Sequence, residues 1–259
     1  MNKVILKSLN TAVCFYILAA ATFTQLISPS KIPYTYVTAS GFTFGIVFPL
    51  YFMLMIFAIY QWTERVNVND TIVDGISYNF IIIGILYGSV YIFMMFNFYL
   101  IQAIIHIAFT IALVLTYYKL EYYYPPAGIF ENLFIHKLFS IWTAWGLYAT
   151  TLGIWVAIPA LNTITLTIIA LIILISIGWF VVDYYPTIIS CFLIEYFPKS
   201  DFIFSAVIVW CLIGVACNQV EVLPILVVTA AGIGLISGAI LKSIATFFSE
   251  HRNGIYISG

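Results

Sequence analysis

The side chains that could carry chemistry in this sequence are few, and most of them lie at the ends of long apolar runs. The ionisable residues within or beside those runs are His106, His136, Lys137, Asp183, Glu195 and Lys242. They show no metal-ligand spacing, and the chain has no HExxH, GxSxG, CxxC or P-loop motif. The sequence therefore predicts neither an enzyme nor a metal site. It also disfavours a proton pump or ion-coupled transporter, which would need carboxylates at the membrane midplane.

His106 is the ionisable residue that lies deepest within an apolar run, the fourth. Ionisable residues inside a membrane are the default candidates for function. A buried histidine is nevertheless more often a hydrogen-bonded interior residue than a haem ligand, and the sequence favours that interpretation.

One stretch, FSIWTAWGLYATTLG at 139–153, combines two tryptophans with several hydroxyl side chains. On a helix, spacings of three and four would place on one face Phe139, Trp142, Gly146, Ala149 and Gly153. Trp145 would lie about a quarter-turn away. An aromatic surface with a few polar groups suits a planar apolar ligand. The same pattern is typical of helix packing, and the residues alone leave both interpretations open.

The composition indicates that lipid, rather than water, covers most of the protein surface. The chain has 259 residues, of which 64% are hydrophobic and only 7% charged. A soluble domain would carry about 25% charged residues. The net charge of −1 gives no hint of nucleic acid as a partner. The sequence therefore predicts a single multi-pass integral-membrane domain over 1–259, with the lipid bilayer as its main partner.

Apolar runs of roughly 17–25 residues, enough to cross about 30 Å of hydrocarbon, predict the membrane spans. They cover approximately 5–27, 41–62, 72–92, 95–118, 134–157, 163–184, 201–218 and 222–247. Eight spans place Lys31 on one side and the other eight Lys and Arg residues on the opposite, inner side. This predicts an all-α bundle of about eight spans (7–9), with short loops and both termini inside. Pro49 predicts a kink in the second helix, and 185–200 either prolongs the sixth helix or lies at the interface.

Three GxxxG pairs on separate predicted helices would let backbones approach closely. They are Gly41/Gly45, Gly84/Gly88 and Gly234/Gly238. Packing within one bundle explains them most simply. The alternative is that one pair, Gly234/Gly238, drives self-association into a homo-oligomer or a larger membrane complex.

Three blocks, spread over most of the chain, carry recognisable motifs. They are TASGFTFGIVFPLY at 38–51 followed by Phe57, Tyr60 and Gln61, then Phe139-Ser140 with Trp145 and Ala149-Thr150, and finally WCLIGV at 210–215. In the same order, they resemble TPAGYxFSIWxxIY…FxxYQ, PFSxxxGWxxxATxxN and WALIGI. These motifs belong to the longer relatives of the tryptophan-rich sensory protein, or translocator protein (TspO/MBR), family.

The sequence also departs from the family motifs. Val47 replaces the second-segment tryptophan and Ala39 replaces its proline. In the fifth run the proline, the glycine and the closing asparagine are replaced by Leu138, Ala144 and Gly153. Several polar or turn-forming positions have thus become apolar or small. We therefore expect that the hydrogen bonding of any family pocket has changed here.

The resemblance implies a site for a planar hydrophobic ligand, because five-helix members of the family bind tetrapyrroles and sterols in an aromatic pocket. The hypothesis is a membrane protein that binds or carries a tetrapyrrole-like or sterol-like molecule. No firm cofactor follows beyond such a ligand. The residues assigned to the site are the aromatic Phe44, Phe139, Trp142, Trp145 and Trp210 and the polar Asn97, Ser140 and Thr143.

The alternative hypothesis is a non-catalytic structural or accessory subunit of a membrane complex. The scarcity of midplane charge, the short loops and the three GxxxG pairs support it. Ligand titration and oligomeric state would distinguish the two hypotheses.

Overall fold

A computed structural model describes residues 3–27, 32–63, 70–184 and 201–252 of the chain. Within these ranges the regular structure is entirely helical. The eight main helices are α1 (Lys3–Ile27), α2 (Val47–Tyr60), α3 (Asn79–Met95), α4 (Tyr99–Tyr123), α5 (Lys137–Ala157), α6 (Ile164–Trp179), α7 (Phe202–Asn218) and α8 (Leu223–Arg252). Each corresponds to one of the eight predicted apolar runs.

Short turns of other helical geometry extend several of these helices. They are the 3₁₀ segment Gly41–Ile46 before α2, the π-helical segments Thr71–Ile76, Asn132–His136 and Phe180–Tyr184, and the 3₁₀ turn Pro159–Leu161. The predicted effect of Pro49 appears at the start of α2 rather than as a mid-helix kink. The α-helix begins at Val47, so Pro49 lies in its first turn, where the backbone N–H that proline lacks would have no partner within the helix. Segment 185–200 lies outside the described residues.

Five described helices are long and apolar enough to cross a membrane. They are Lys3–Thr24, Gly41–Tyr60, Tyr99–Tyr123, Ile164–Asp183 and Leu223–Thr246. The apolar helices α3 and α7 are shorter, at 17 residues each. The five helices indicate a multi-pass integral membrane protein. The count of eight spans and the side on which the termini lie stay predictions.

Helix α5 lies at the centre of the bundle, between two hydrophobic clusters. The first cluster packs α1 to α4 against Phe139 and Trp142 of α5. The second packs α6, α7 and α8 against Trp145, Tyr148 and Leu152 of the same helix. Eleven of the 21 residues of α5 are buried. Helix α5 is therefore largely enclosed by protein, and its side chains join the two clusters.

The GxxxG pair Gly84/Gly88 forms a close packing seam within the bundle. A Cβ atom on Gly84 would clash with Val13 of α1, and one on Gly88 would clash with the ring of Tyr16. This pair therefore brings α1 and α3 together, as the simpler interpretation predicted. The other two pairs differ, because a Cβ atom on any of their glycines would meet no described atom within 4 Å.

Replacing Gly84 by alanine is expected to destabilise the protein by about 1–3 kcal/mol, because the added methyl group overpacks the seam with Val13. The matched control is Gly234→Ala, on another helix but facing open space. Both changes carry the same gain in helix propensity, so their difference measures the packing cost. The free energy of unfolding in mixed micelles is the readout. Equal values for the two variants would contradict close packing of α1 on α3.

Candidate functional site

A cavity of about 820 Å³ lies among α1 to α5. It is lined by the C-terminal ends of α1, α3 and α5, for example by Ala21, Tyr91 and Val156. Residues near the beginning of α2 and α4, such as Val47 and Gln102, complete the wall. Five successive helices that meet at one site with alternate ends must run alternately up and down. The cavity therefore occupies one end of the bundle.

Aromatic rings form one wall of the cavity. Trp145 is 4% exposed, and its ring lies edge-on to Phe44 with centroids 5.7 Å apart. On its other side Trp145 packs against Tyr148, whose hydroxyl accepts a hydrogen bond from the Ala39 N–H and donates one to the Val37 carbonyl. These bonds fix the rigid surface on which Trp145 rests. The arrangement presents flat apolar surface to the cavity.

Three tyrosine hydroxyls form a hydrogen-bonded chain in the same cavity wall. The Tyr51 and Tyr91 hydroxyls are 2.6 Å apart, and the Tyr91 and Tyr87 hydroxyls are 3.0 Å apart. The Tyr87 ring stacks on Phe109 at 5.0 Å, which holds this end of the chain in place. All three tyrosines line the cavity. The cavity is therefore apolar in its surface but contains a defined polar patch.

His106 and Gln102 add a second polar feature, one helical turn apart on α4. Both line the cavity and are nine-tenths or more buried. The His106 Nδ1 is fully enclosed, and within the described chain it has no hydrogen-bond partner. A Cβ atom on Gly153 would lie 3.0 Å from this nitrogen, so the glycine leaves room for the imidazole ring. His106 is therefore an interior residue, as expected. The expected hydrogen bond is not found at its Nδ1.

A protein-family model described as TSPO-like protein matches residues 5–242. This chain belongs to the TSPO-like protein family. The match covers most of the chain and confirms the resemblance carried by the three sequence blocks. Neither the curated proteins nor the solved structures gave a match. Together with its five long apolar helices, membership of the family makes this TSPO-like protein an integral multi-pass membrane protein.

The cavity explains one departure from the family motif. Gly153 occupies the position of the asparagine that closes PFSxxxGWxxxATxxN, and in this TSPO-like chain the His106 ring packs directly over it. The polar group at this position is thus the His106 imidazole of α4, where the family motif has an asparagine on the helix that corresponds to α5.

The eight residues predicted for the site do not all lie together. Trp145 and Phe44 line the cavity, whereas Phe139 and Trp142 are fully buried in the first core cluster. On α5 the cavity lining extends from Trp145 to Val156, and Phe139 and Trp142 lie nearer the beginning of the helix, beneath the cavity. There the Phe80 ring packs against both of them.

Ser140 and Thr143 are also buried away from the cavity. The Ser140 hydroxyl donates to the His136 carbonyl and contacts the Asp201 carboxylate, so it joins α5 to the start of α7. The Thr143 hydroxyl is enclosed, and the described part of the chain gives it no hydrogen-bond partner. Neither side chain reaches the cavity wall.

Trp210 and Asn97 occupy the periphery of the TSPO-like fold. The Trp210 indole N–H donates to the Thr43 carbonyl at 3.0 Å, and the ring packs edge-on against Phe42. Asn97 adopts a left-handed backbone conformation (φ 58°) in the turn between α3 and α4, and its side chain accepts a hydrogen bond from Tyr99. Neither residue lines the cavity directly, although Phe42 and Tyr99 do.

The tyrosine chain and Gln102 are ligand-contact candidates that sequence reasoning misses. Tyr87 and Tyr91 lie towards the end of the apolar run 72–92, where a tyrosine is commonly an interfacial anchor. The spacing of Tyr87 and Tyr91 could have indicated a shared site in advance. The two residues are four apart within an apolar run, and this spacing places both hydroxyls on one helix face.

Charged groups concentrate at the end of the bundle opposite the cavity. Lys137 Nζ lies 3.1 Å from the Asp201 carboxylate, and the Tyr117 hydroxyl donates to the same carboxylate at 2.9 Å. His136 Nδ1 lies 3.0 Å from Glu121, and both side chains are buried. These contacts fasten α4, α5 and α7 together. The protein therefore has one end held by ion pairs and one end that encloses an apolar cavity.

Proposed function

We propose that this TSPO-like membrane protein binds a planar hydrophobic ligand, tetrapyrrole-like or sterol-like, in the cavity among α1 to α5. The observation that supports the proposal is an 820 Å³ space walled by Trp145, Phe44 and three tyrosines. Ligand sites typically measure about 300–1,000 Å³ and combine apolar walls with a few polar groups. The cavity has the size and chemistry of such a site.

Access from the bilayer follows from the exposed part of the lining. Thr22, Phe42 and Phe48 line the cavity and are themselves exposed, Phe48 at 78% of its surface. The cavity therefore reaches the outer surface of the bundle between α1 and α2. A molecule dissolved in lipid could enter sideways without crossing water, as a carrier or sensor of apolar ligands would require.

Binding without catalysis fits the side chains around the cavity. Among the described residues that line it, none is Asp, Glu, Lys or Arg. His106 lines the cavity, but its Nδ1 has no partner among the described residues, so this nitrogen does not activate a neighbouring hydroxyl as a nucleophile. The proposed role is thus binding or passage of the ligand rather than its chemical conversion.

Filling the cavity tests the proposal. Gly45 lines the cavity, and a Cβ atom there meets no described atom within 4 Å, so we expect the side chain of Gly45→Leu to occupy part of this space. We expect protoporphyrin IX affinity to fall at least tenfold, since a leucine takes up contacts worth about 1.5–3 kcal/mol. Quenching of tryptophan fluorescence and the Soret shift report binding.

The matched control is Gly128→Leu, at an exposed glycine with equally open surroundings away from the cavity. It is expected to bind like the wild type. A fluorescent sterol is titrated in parallel, because the cavity suits either ligand class. If neither probe saturates with the wild type, or if Gly45→Leu binds as well as Gly128→Leu, the proposed site is wrong.

The structural-subunit hypothesis is tested in the same preparation. The specific observation in its favour is that Gly234 and Gly238 face open space on α8. In contrast, Gly84 and Gly88 on α3 already pack against α1 inside the bundle. If particles contain several copies of the chain, Gly238→Leu should reduce them to single chains. A monodisperse wild-type monomer would argue against this alternative.

A further inference from the structure

The side-chain amide of Gln102 is buried but lacks a protein partner. Gln102 is 9% exposed and lines the cavity, yet its amide makes no hydrogen bond within the described part of the chain. Neither amide atom is fully enclosed, so a molecule in the cavity can reach both of them. The amide therefore offers the cavity an oxygen acceptor and N–H donors side by side.

Two other buried glutamines show what a purely structural role requires. The Gln61 Oε1 accepts from Asn10 at 3.2 Å, and its Nε2 lies within hydrogen-bond distance of three further oxygens. The Gln219 Oε1 accepts from the Tyr34 hydroxyl at 2.7 Å, and its Nε2 donates to a backbone carbonyl at 3.1 Å. A glutamine that joins helices is thus bonded at both atoms of its amide, unlike the glutamine of the cavity wall.

His106 repeats this pattern one turn further along α4. Neither of its ring nitrogens has a hydrogen-bond partner in the described structure. Nε2, unlike Nδ1, is not fully enclosed, so it is the nitrogen that faces the cavity. Because Cβ atoms one helical turn apart are separated by about 5–6 Å, Gln102 and His106 can contact the same group of a ligand.

Unpartnered polar groups of this kind are unusual in a folded protein. A buried polar group without a hydrogen bond is destabilising, and natural proteins retain such groups chiefly at functional sites. The tyrosine hydroxyls of the same cavity differ, because Tyr51 and Tyr87 each contact Tyr91. Two adjacent unpartnered side chains in one cavity wall indicate a ligand that completes their hydrogen bonds.

The positions of the two side chains determine how a ligand would be oriented. The His106 ring lies against Gly153, which is eight residues, or about 12 Å along α5, beyond Trp145. Gln102 lies one turn further towards the same end, since α4 and α5 run in opposite directions. A polar group of the ligand would therefore lie near the end of the bundle, with the apolar body deeper, against Trp145 and Phe44.

We propose that the ligand carries an uncharged group with both a hydrogen-bond donor and an acceptor, such as a hydroxyl or an amide, and that Gln102 and His106 bind it. This inference rests on the proposed function and names the specificity determinant of the same site. The donor satisfies the Gln102 oxygen, and the acceptor satisfies its N–H group. The group is uncharged because the described cavity lining has no Asp, Glu, Lys or Arg to compensate a buried charge.

Two series of probes with closely matched apolar bodies test the inference. Their members carry, in order, no polar substituent, an acceptor alone, a donor with an acceptor, and an anion. The sterol series is 5-cholestene, cholesterol methyl ether, cholesterol and cholesterol sulfate. The porphyrin series is etioporphyrin I, mesoporphyrin IX dimethyl ester, mesoporphyrin IX diamide and mesoporphyrin IX.

In a series that binds, we expect the wild type to bind the donor–acceptor member tightest, and about tenfold tighter than the apolar member. Displacement of a fluorescent sterol or of protoporphyrin IX measures the affinities. Gln102→Met is expected to remove most of this preference by weakening the donor–acceptor member and not the apolar one. The double variant Gln102→Met/His106→Phe should remove the rest.

Thermal stability separates a binding role from a packing role. Since Gln102 has no described protein partner to lose, the melting temperature of Gln102→Met should stay within about 2 °C of the wild type. The matched control is Gln61→Met, at a buried glutamine whose amide is fully bonded. It should lower the melting temperature by at least about 3 °C and retain the wild-type ligand preference.

The outcomes distinguish failure of this inference from failure of the proposed function. If probes bind but the apolar or the anionic member binds as tightly as the donor–acceptor member, the inference is overturned and the proposed function stands. The same conclusion follows if the double variant weakens all members of a series equally, or if Gln102→Met melts as low as Gln61→Met. If no member of either series saturates, the proposed function fails, and this inference fails with it.

Discussion

Replacing Asp201 by alanine is expected to lower the free energy of unfolding by about 3–5 kcal/mol, because it breaks a buried, hydrogen-bonded ion pair. Asp201 is 4% exposed and pairs with Lys137 at 3.1 Å. Its carboxylate also accepts a hydrogen bond from the Tyr117 hydroxyl. As the N-cap of α7, it accepts another from the Phe204 N–H at 3.3 Å. Alanine removes the carboxylate that all of these groups contact, and it leaves the Lys137 ammonium, whose side chain is only 14% exposed, without its counter-ion.

The measurement is SDS-induced unfolding in mixed micelles, with Asp183→Ala as the control. Asp183 pairs with Lys242 at 2.6 Å, but the Lys242 side chain is 69% exposed. An exposed ion pair of this kind contributes only about 0–1 kcal/mol. The double variant Asp201→Leu/Lys137→Met should recover part of the lost stability, because no uncompensated charge is left. Similar small losses for Asp201→Ala and Asp183→Ala would contradict the proposed importance of the buried cluster.

The second large effect is a division of roles between two tryptophans three residues apart. Trp142 is fully buried against Phe80, Phe109 and Tyr87, with ring centroids 5.4–6.1 Å away. Trp142→Ala is expected to lower the free energy of unfolding by about 3–5 kcal/mol, as for other large-to-small core changes. Trp145 lines the cavity, so Trp145→Ala is expected to weaken ligand binding about tenfold or more by removing stacking surface.

The milder variants Trp142→Phe and Trp145→Phe separate binding from folding. Protoporphyrin IX titration by the Soret shift is the readout, since it does not depend on which tryptophan remains. Trp142→Phe should keep the wild-type affinity, and Trp145→Phe should not. The reverse ranking would mean that the ligand inserts beneath the cavity, among the core rings around Phe80.

The sequence by itself determined the helices. Apolar runs long enough to cross lipid located all eight main helices, because in a bilayer the backbone must satisfy its own hydrogen bonds within each segment. Three motif blocks also identified the family. Helical periodicity assigns Ala149 and Gly153 to one face of α5, and both line the cavity, as do Trp145 and Phe44 from the motif blocks.

Only the tertiary structure decided how far along α5 the cavity extends. Periodicity assigns a residue to a face, but neighbouring helices fill that face at some depths and not at others. Phe80 and Phe109 fill the space beside Trp142, whereas the glycines of the 3₁₀ segment Gly41–Ile46 leave space near Trp145.

The polar side chains show the same division. Ser140 has the chemistry of a ligand contact, yet it contacts Asp201, 61 residues away in the chain. Conversely, no local pattern links Tyr51 to Tyr91, yet they meet inside the cavity because α2 and α3 bring residues 40 positions apart together. Such long-range partners depend on which helices pack side by side, and local sequence patterns do not encode that choice.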